Sequence, residues 1–220
     1  MRKLLRSVAI ICVGMAQFGG VPRVLSAEPP EQNTTRIVAL GDSDTQGKSG
    51  YSGSFPGQLE KILKDRGRNV RVFNEGIESQ TSDQVAKKLD STVPVGTNIV
   101  LIQLGTSDVK INKSPEAIKK TIGEIIDRLV ARNIKVVIIA ARLPGPKLTA
   151  ANYDRKAYGD LFYELSRERH LPVANFQNGL PPVGSSSEIY LPDGHLTTAG
   201  NAIVARNLVD LVERLLPPKS

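Results

Sequence analysis

Short apolar runs alternate with amphipathic stretches from residue 36 almost to the end of the chain. Five runs have strand length and are rich in β-branched residues: 36–40, 69–73, 98–104, 135–140 and 171–175. They show little alternation of apolar and polar positions, as strands covered by helices on both faces require. Between them, apolar residues recur at helical spacing. Leu59, Ile62 and Leu63 mark a helix over 55–66, and a short one is expected over 83–89 with Ser82 or Asp83 as its cap. The strongest stripe is Ile118, Ile122, Ile125, Ile126 and Leu129. Ser114, Pro115 and Glu116 open it with a capping hydroxyl, a preset ring and a negative charge in the first turn. A helical stretch over 150–168 precedes the fifth run. A last helix carries Ile203, Val204, Leu208, Leu211, Val212 and Leu215 behind Thr197 or Thr198 as cap. Regular strand–helix alternation predicts parallel strands joined by right-handed crossovers. The expected fold is therefore α/β: a single three-layer doubly wound, flavodoxin-like domain of about five parallel strands. Residues 49–56 and 179–187 read as loops, and no internal repeat is present.

The N-terminal residues follow a different pattern. Arg2, Lys3 and Arg6 precede an apolar run over 7–16 that is too short to span a bilayer as a helix. Val24, Leu25, Ser26 and Ala27 then give a small-residue end before Glu28-Pro29-Pro30. This is the layout of a secretory signal peptide. The expected organisation is a signal peptide over 1–27, a polar linker over 28–35 and one domain over 36–216. The mature protein is expected to be exported, periplasmic or secreted, with no stable membrane span. Hydrophobic residues make up 40% of the chain and charged residues 23%, an ordinary globular composition. The first 27 residues hold four bases and no acid, so the formal charge of +7 falls to +3 without them. The basic balance therefore calls for no nucleic-acid partner. Cys12, the only cysteine, lies in the same segment, which leaves no thiol nucleophile, disulfide or cysteine metal site. With only two histidines, a multi-histidine metal centre is not expected either. No cofactor or metal is implied.

Ligands of open parallel sheets bind beyond the carboxyl ends of the strands. The segments that follow the strands are polar and contain glycine: Gly41-Asp42-Ser43-Asp44-Thr45, the stretch from Asn74 to Thr81, Gly105-Thr106-Ser107-Asp108, and Pro192-Asp193-Gly194-His195 after a long loop. A serine hydroxyl needs a base before it attacks. Ser43 follows the first strand, in a turn where a structural Asp/Ser role is the plainer alternative. His170 ends a charged helix at the amino edge of the sheet and suits a helix C-terminal cation. His195 lies on the carboxyl-edge side, where it opens the last helix and is the one histidine that can reach Ser43. Asp193, two residues before it, can orient the ring and stabilise an imidazolium. Donors for an oxyanion are expected from the Ser43 and Ser79 backbone N–H groups and the Ser107 side chain.

These blocks, in this order, resemble the SGNH (GDSL-type) hydrolases, in their arylesterase, lysophospholipase and acyl-thioesterase branch. Gly41-Asp42-Ser43-Asp44 is similar to the Gly-Asp-Ser-Leu motif, residues 74–82 to the oxyanion loop, and Gly105-Thr106-Ser107-Asp108 to a Gly-x-Asn-Asp block. Ala141-Arg142-Leu143-Pro144 with Tyr153-Asp154-Arg155 is similar to that branch too. Asp193-Gly194-His195 resembles the acid–histidine block. The resemblance covers 36–216 and implies a serine ester hydrolase working through an acyl-enzyme on a small-molecule ester or thioester. Four positions depart from the pattern: Asp44 replaces leucine, Ser79 stands at the oxyanion glycine, Ser107 replaces asparagine, and one residue instead of two separates Asp193 from His195. They motivate an alternative, a domain of this family that binds an acyl or glycan ligand without turnover. A nucleotide-binding phosphate loop over 41–49 is a weaker reading, because five residues stand between Gly41 and Gly47 where that cradle needs four.

Overall fold

The computed structural model describes residues 34–143 and 154–218. The expected signal peptide and the expected linker up to residue 33, and residues 150–153 of the helical stretch expected over 150–168, lie outside these. Five strands form one parallel sheet: β1 (Thr35–Gly41), β2 (Val70–Gly76), β3 (Ile99–Gln103), β4 (Lys135–Ala140) and β5 (Val173–Asn175). Their order across the sheet is β2-β1-β3-β4-β5. The five-strand, three-layer expectation is met. Such a sheet opens a crevice where the winding reverses, between β1 and β3.

The strands read as continuous apolar runs because both faces are covered. Val38, Leu40, Val100, Ile102, Val136 and Ile138 face one core. It is completed by α4 (Ser82–Thr92), α6 (Pro115–Val130) and α7 (Arg155–Arg169). Their alternates Ile37, Ala39, Ile99, Leu101, Val137 and Ile139 face a second core under α3 (Phe55–Asp65) and α8 (Thr198–Glu213). Burial at this scale, at roughly 25 cal/mol per Å² of apolar surface, is the main driving force for the fold.

The helix ends follow local chemistry, with some departures from expectation. Ser114 and Thr197 accept from the backbone N–H groups of Ala117 and Gly200, each at 3.2 Å. For α4 the cap is Thr81, in a capping box with Gln84, rather than Ser82 or Asp83. Ser82 is otherwise engaged: its hydroxyl donates to buried Asp108 at 2.7 Å, and its backbone N–H does so at 2.9 Å. Residues 49–56, expected as loop, hold the one-turn α2 (Gly50–Gly53) and the start of α3, where Ser54 caps and Pro56 lies in the first turn. Two further short helices, α1 (Ser43–Gln46) and α5 (Thr106–Lys110), follow β1 and β3 directly. Among the described residues, no helix is long and apolar enough to cross a membrane.

Leu101 is fully buried in the central strand. Leu101→Ala is expected to lower unfolding free energy by about 2–5 kcal/mol in a urea titration. Val95→Ala, at a residue 93% exposed, should stay within about 0.5 kcal/mol of the parent.

Candidate active site

The turn carrying Ser43 is seated on two glycines. Gly41 and Gly76 end β1 and β2 side by side in register, and Gly41 also pairs with Gln103 at the end of β3. A Cβ on Gly76 would stand 2.2 Å from the backbone nitrogen of Gln46, so the closeness of α1 to the strand ends requires glycine there. Thr45 donates its hydroxyl to Gln103 Oε1 at 2.8 Å in the buried interior. Asn74 donates through Nδ2 to the carbonyls of Thr45 and Gln46 at 2.9 and 3.2 Å. The short helix is thereby fixed over the carboxyl edge, with Ser43 as its first residue.

Three polar loops surround it. Ser43 is 7% exposed, and among the described residues neither its hydroxyl nor its backbone N–H makes a hydrogen bond. Ser79 is exposed in the loop after β2, and its N–H is likewise unpaired among the described residues. Its φ of 60° lies in the left-handed region, where glycine would be unstrained. Ser107 is nearly buried in α5, after β3, and its hydroxyl has no partner among the described residues. All three expected donors therefore stand on segments that follow strands at the carboxyl edge, and among the described residues their donating groups have no partner.

His195 does not open the last helix. It lies two residues before the Thr197 cap, in a turn closed by Leu191 N–H to the His195 carbonyl at 2.8 Å and Gly194 N–H to the Leu191 carbonyl at 2.9 Å. Its Nδ1 is 3.0 Å from Asp193 Oδ2. The contact is close but not an aligned hydrogen bond, and buried Nδ1 has no other partner among the described residues. The single-residue spacing explains this, because the His195 backbone N–H binds Asp193 Oδ1 at 3.0 Å and holds the carboxylate beside the main chain. That backbone bond, then the ring, keeps the Asp193 carboxyl below the usual carboxylate range. Ser43 and His195 are not hydrogen-bonded to one another in this structure. His170 is the C-cap of α7, ahead of β5 and therefore at the amino edge.

Two carboxylates flank Ser43. Asp42 is fully buried, and its Oδ1 accepts from Asp44 N–H at 3.0 Å. Oδ2 accepts no well-oriented hydrogen bond, since the nearby Thr106 hydroxyl donates to the Arg142 carbonyl at 3.0 Å. Burial, then the charge of Asp44, pushes the Asp42 carboxyl up to about 7. Asp44 is paired instead: Arg142 Nη2 and Nε reach its two oxygens at 2.6 and 3.2 Å.

Residues 39–203 match the model of the GDSL-like lipase/acylhydrolase family. The chain belongs to that family. It is 26% identical over 145 residues to thioesterase 1/protease 1/lysophospholipase L1 of Escherichia coli K12. That match covers 64% of this chain and 65% of the relative, so the chain spans just under two thirds of the length of the curated relatives it matches. The crystal structure of TesA superposes with a TM-score of 0.72 at 22% identity, over 83% of this chain and 100% of that one. The lipase/acylhydrolase of Enterococcus faecalis also reaches 0.72, at 19% identity, over 84% and 99%. The psychrotrophic esterase EstA of Pseudoalteromonas sp., inhibited by monoethylphosphonate, reaches 0.69 at 17% identity, over 82% and 97%. At these identities the structural likeness establishes the GDSL-type fold alone.

Sequence reasoning named the serines and the Asp-Gly-His block as candidates but gave no role to Asn74, Gln103 or Arg142. A signal existed for Arg142: an acid beside Ser43 calls for a cation, and Arg142 follows the fourth apolar run almost at once. The phosphate-loop reading fails, because no helix starts at Lys48, whose ammonium pairs with Glu78 at 2.9 Å. A cleft of about 620 Å³ lies between α6 and α7, walled by Lys119 with Glu164 and Glu168, and includes none of the serines discussed.

Two stability changes follow. Glycine at position 79 avoids about 1–2 kcal/mol of left-handed strain and returns about 0.4–1 kcal/mol through the freer unfolded chain. Ser79→Gly should therefore raise stability by about 0.5 kcal/mol, and Ser79→Val should lower it by about 1–3 kcal/mol. For Asp42 the folded state keeps a proton that the unfolded chain has released between pH of about 4 and about 7. Its contribution is fully present below that window and is lost as pH rises through it. Urea titrations should show stability falling by about 2–4 kcal/mol from this residue between those limits. The fall should be missing in Asp42→Asn.

Proposed function

We propose that this chain is an exported serine carboxylic ester hydrolase of the GDSL type. The observation that carries the reading is Ser43. It heads a short helix at the crevice, with its hydroxyl and N–H unpaired among the described residues, beside loops bearing His195 and free donors. Family membership supports the reaction class. The signal-peptide pattern of residues 1–27 supports export.

In the proposed reaction, the Ser43 hydroxyl oxygen attacks the carbonyl carbon of an ester or thioester while His195 takes its proton. The Ser43 and Ser79 N–H groups and the Ser107 hydroxyl donate to the developing oxyanion, where each such donor is worth about 10²–10³ in rate. His195 then protonates the departing alcohol or thiol, leaving an acyl group on Ser43. Water, deprotonated by His195, cleaves that bond and restores the serine. Asp193, 3.0 Å from the ring, stabilises the imidazolium electrostatically. Asp193 is well exposed, so this help is screened by solvent.

Hydrolysis of p-nitrophenyl acetate, butyrate and octanoate by the protein lacking residues 1–27 tests the reading. Ser43→Ala and His195→Ala should each lower turnover by about 10³-fold or more, and a fluorophosphonate should label the parent at Ser43. Absence of both turnover and label would replace this reading with ligand binding without turnover.

A further inference from the structure

Arg142 is one residue past Ala141, just beyond the end of β4, and its side chain is 13% exposed. It binds three segments at once. Nε and Nη2 grip the Asp44 carboxylate at 3.2 and 2.6 Å, and Nη1 donates to the Gly194 carbonyl at 2.5 Å. Its own backbone carbonyl accepts the Thr106 hydroxyl at 3.0 Å. Each partner adjoins a residue of the site: Asp44 follows Ser43, Thr106 precedes Ser107, and Gly194 precedes His195. These partners are 98, 36 and 52 residues from Arg142 along the chain, so no local rule of helix or turn brings them together.

We propose that Arg142, held by Asp44, is a positioning residue that sets the His195 turn and the Ser107 loop against the Ser43 turn. This rests on the serine hydrolase reading above. Geometry is the reason. A planar guanidinium engages a carboxylate through two parallel N–H bonds and still directs a further N–H sideways, which a lysine ammonium cannot reproduce. Asp44 is 2% exposed, so little water competes for that grip. Tyr190 and Leu196 anchor the two ends of the histidine turn in the second core, while Gly194, with a φ of +82° and no side chain, is held through its carbonyl. Asp193 does not fix the ring through an aligned bond, which leaves the placement of His195 to the main chain around it. A misplacement of about 1 Å between reacting groups can lower a rate by about 10²-fold. Asp44 is thus a partner for Arg142 where the family carries leucine.

The test compares the parent with Arg142→Met and with the double variant Asp44→Leu/Arg142→Met. The double variant removes both charges of the pair together, so the loss of Arg142 strands no Asp44 charge in the interior. Three quantities are read on folded protein: turnover of p-nitrophenyl butyrate, the rate of fluorophosphonate labelling at Ser43, and amide hydrogen exchange over residues 190–196. The expected result is a double variant with parent-like circular dichroism and faster exchange over 190–196. Its kcat and labelling should fall together by about 10–100-fold, with KM within about threefold. Exchange at the parent rate overturns the proposal whatever the rates do. So does faster exchange with unchanged kcat and labelling, or a loss confined to KM. A parent that neither turns over esters nor takes the label refutes the hydrolase reading instead, and the exchange comparison still decides whether Arg142 holds the turn.

Discussion

The site depends on how closely a one-turn helix can approach the ends of two parallel strands. Gly41 and Gly76 stand side by side where β1 and β2 finish, and α1 lies directly on them. On Gly41, a Cβ would fall 2.5 Å from the Thr45 Cβ and 2.8 Å from the Gln103 carbonyl oxygen. The approach lets Thr45 reach Gln103 and lets one amide, Asn74, satisfy two carbonyls of the turn. A larger residue at either position would lift the turn, break these buried bonds and move Ser43 with it. Unmade buried hydrogen bonds are costly, at about 1–3 kcal/mol each, so the seat of Ser43 is determined well beyond what one turn of helix provides on its own.

That close seat has an electrostatic consequence. Helix α1 begins with two carboxylates around Ser43, and both are shielded from water. They are handled differently. Asp44 gains a bidentate guanidinium, while Asp42 gains one backbone N–H and a neighbour of like charge, and holds its proton up to about pH 7. Burying an ion pair is at best weakly stabilising overall, whereas removing one partner is strongly destabilising. The Asp44–Arg142 pair therefore contributes little as a source of stability. Its significance is that it ties the Ser43 turn, through Arg142, to the carbonyl of Gly194.

How much of this was legible in the sequence follows from the range of each interaction. Apolar runs of strand length, the α6 stripe and the caps Ser114 and Thr197 are short-range signals, and the fold class came from them correctly. Ser43, Ser79, Ser107 and the Asp-Gly-His block could be placed on carboxyl-edge loops because strand order in such folds dictates which segments meet. The α4 cap at Thr81 had a local signal, the Thr81–Gln84 spacing of a capping box, whereas the draw of Ser82 to Asp108, 26 residues away, has none. Asn74 to Thr45 and Arg142 to Asp44 are choices of partner across 29 and 98 residues. A pattern of hydrophobicity carries no record of such choices, although an acid at a position expected to be leucine was a visible clue that a base must be near.

The shortened acid–histidine spacing shows how the parts are coupled. With two residues between them, a carboxylate is free of the histidine's own main chain and can turn to the ring. With Gly194 alone between them, Asp193 is captured by the His195 backbone N–H. Its charge stays 3.0 Å from Nδ1, so Coulombic support for a protonated ring survives while directional support is weak. Choice of tautomer and ring angle depends on the directional part. In the proposed reaction that work passes to whatever holds the turn rigid. The Leu191–His195 and Leu191–Gly194 backbone bonds fix its internal shape, but they cannot fix where the turn lies relative to Ser43. Contacts from outside the turn do that: Tyr190 and Leu196 are buried in the second core at its ends, and the Arg142 bond to the Gly194 carbonyl adds one on the residue next to His195. In that reading, losing an aligned carboxylate and placing an acid beside Ser43 are linked departures: Asp44 holds Arg142, which grips the residue before His195.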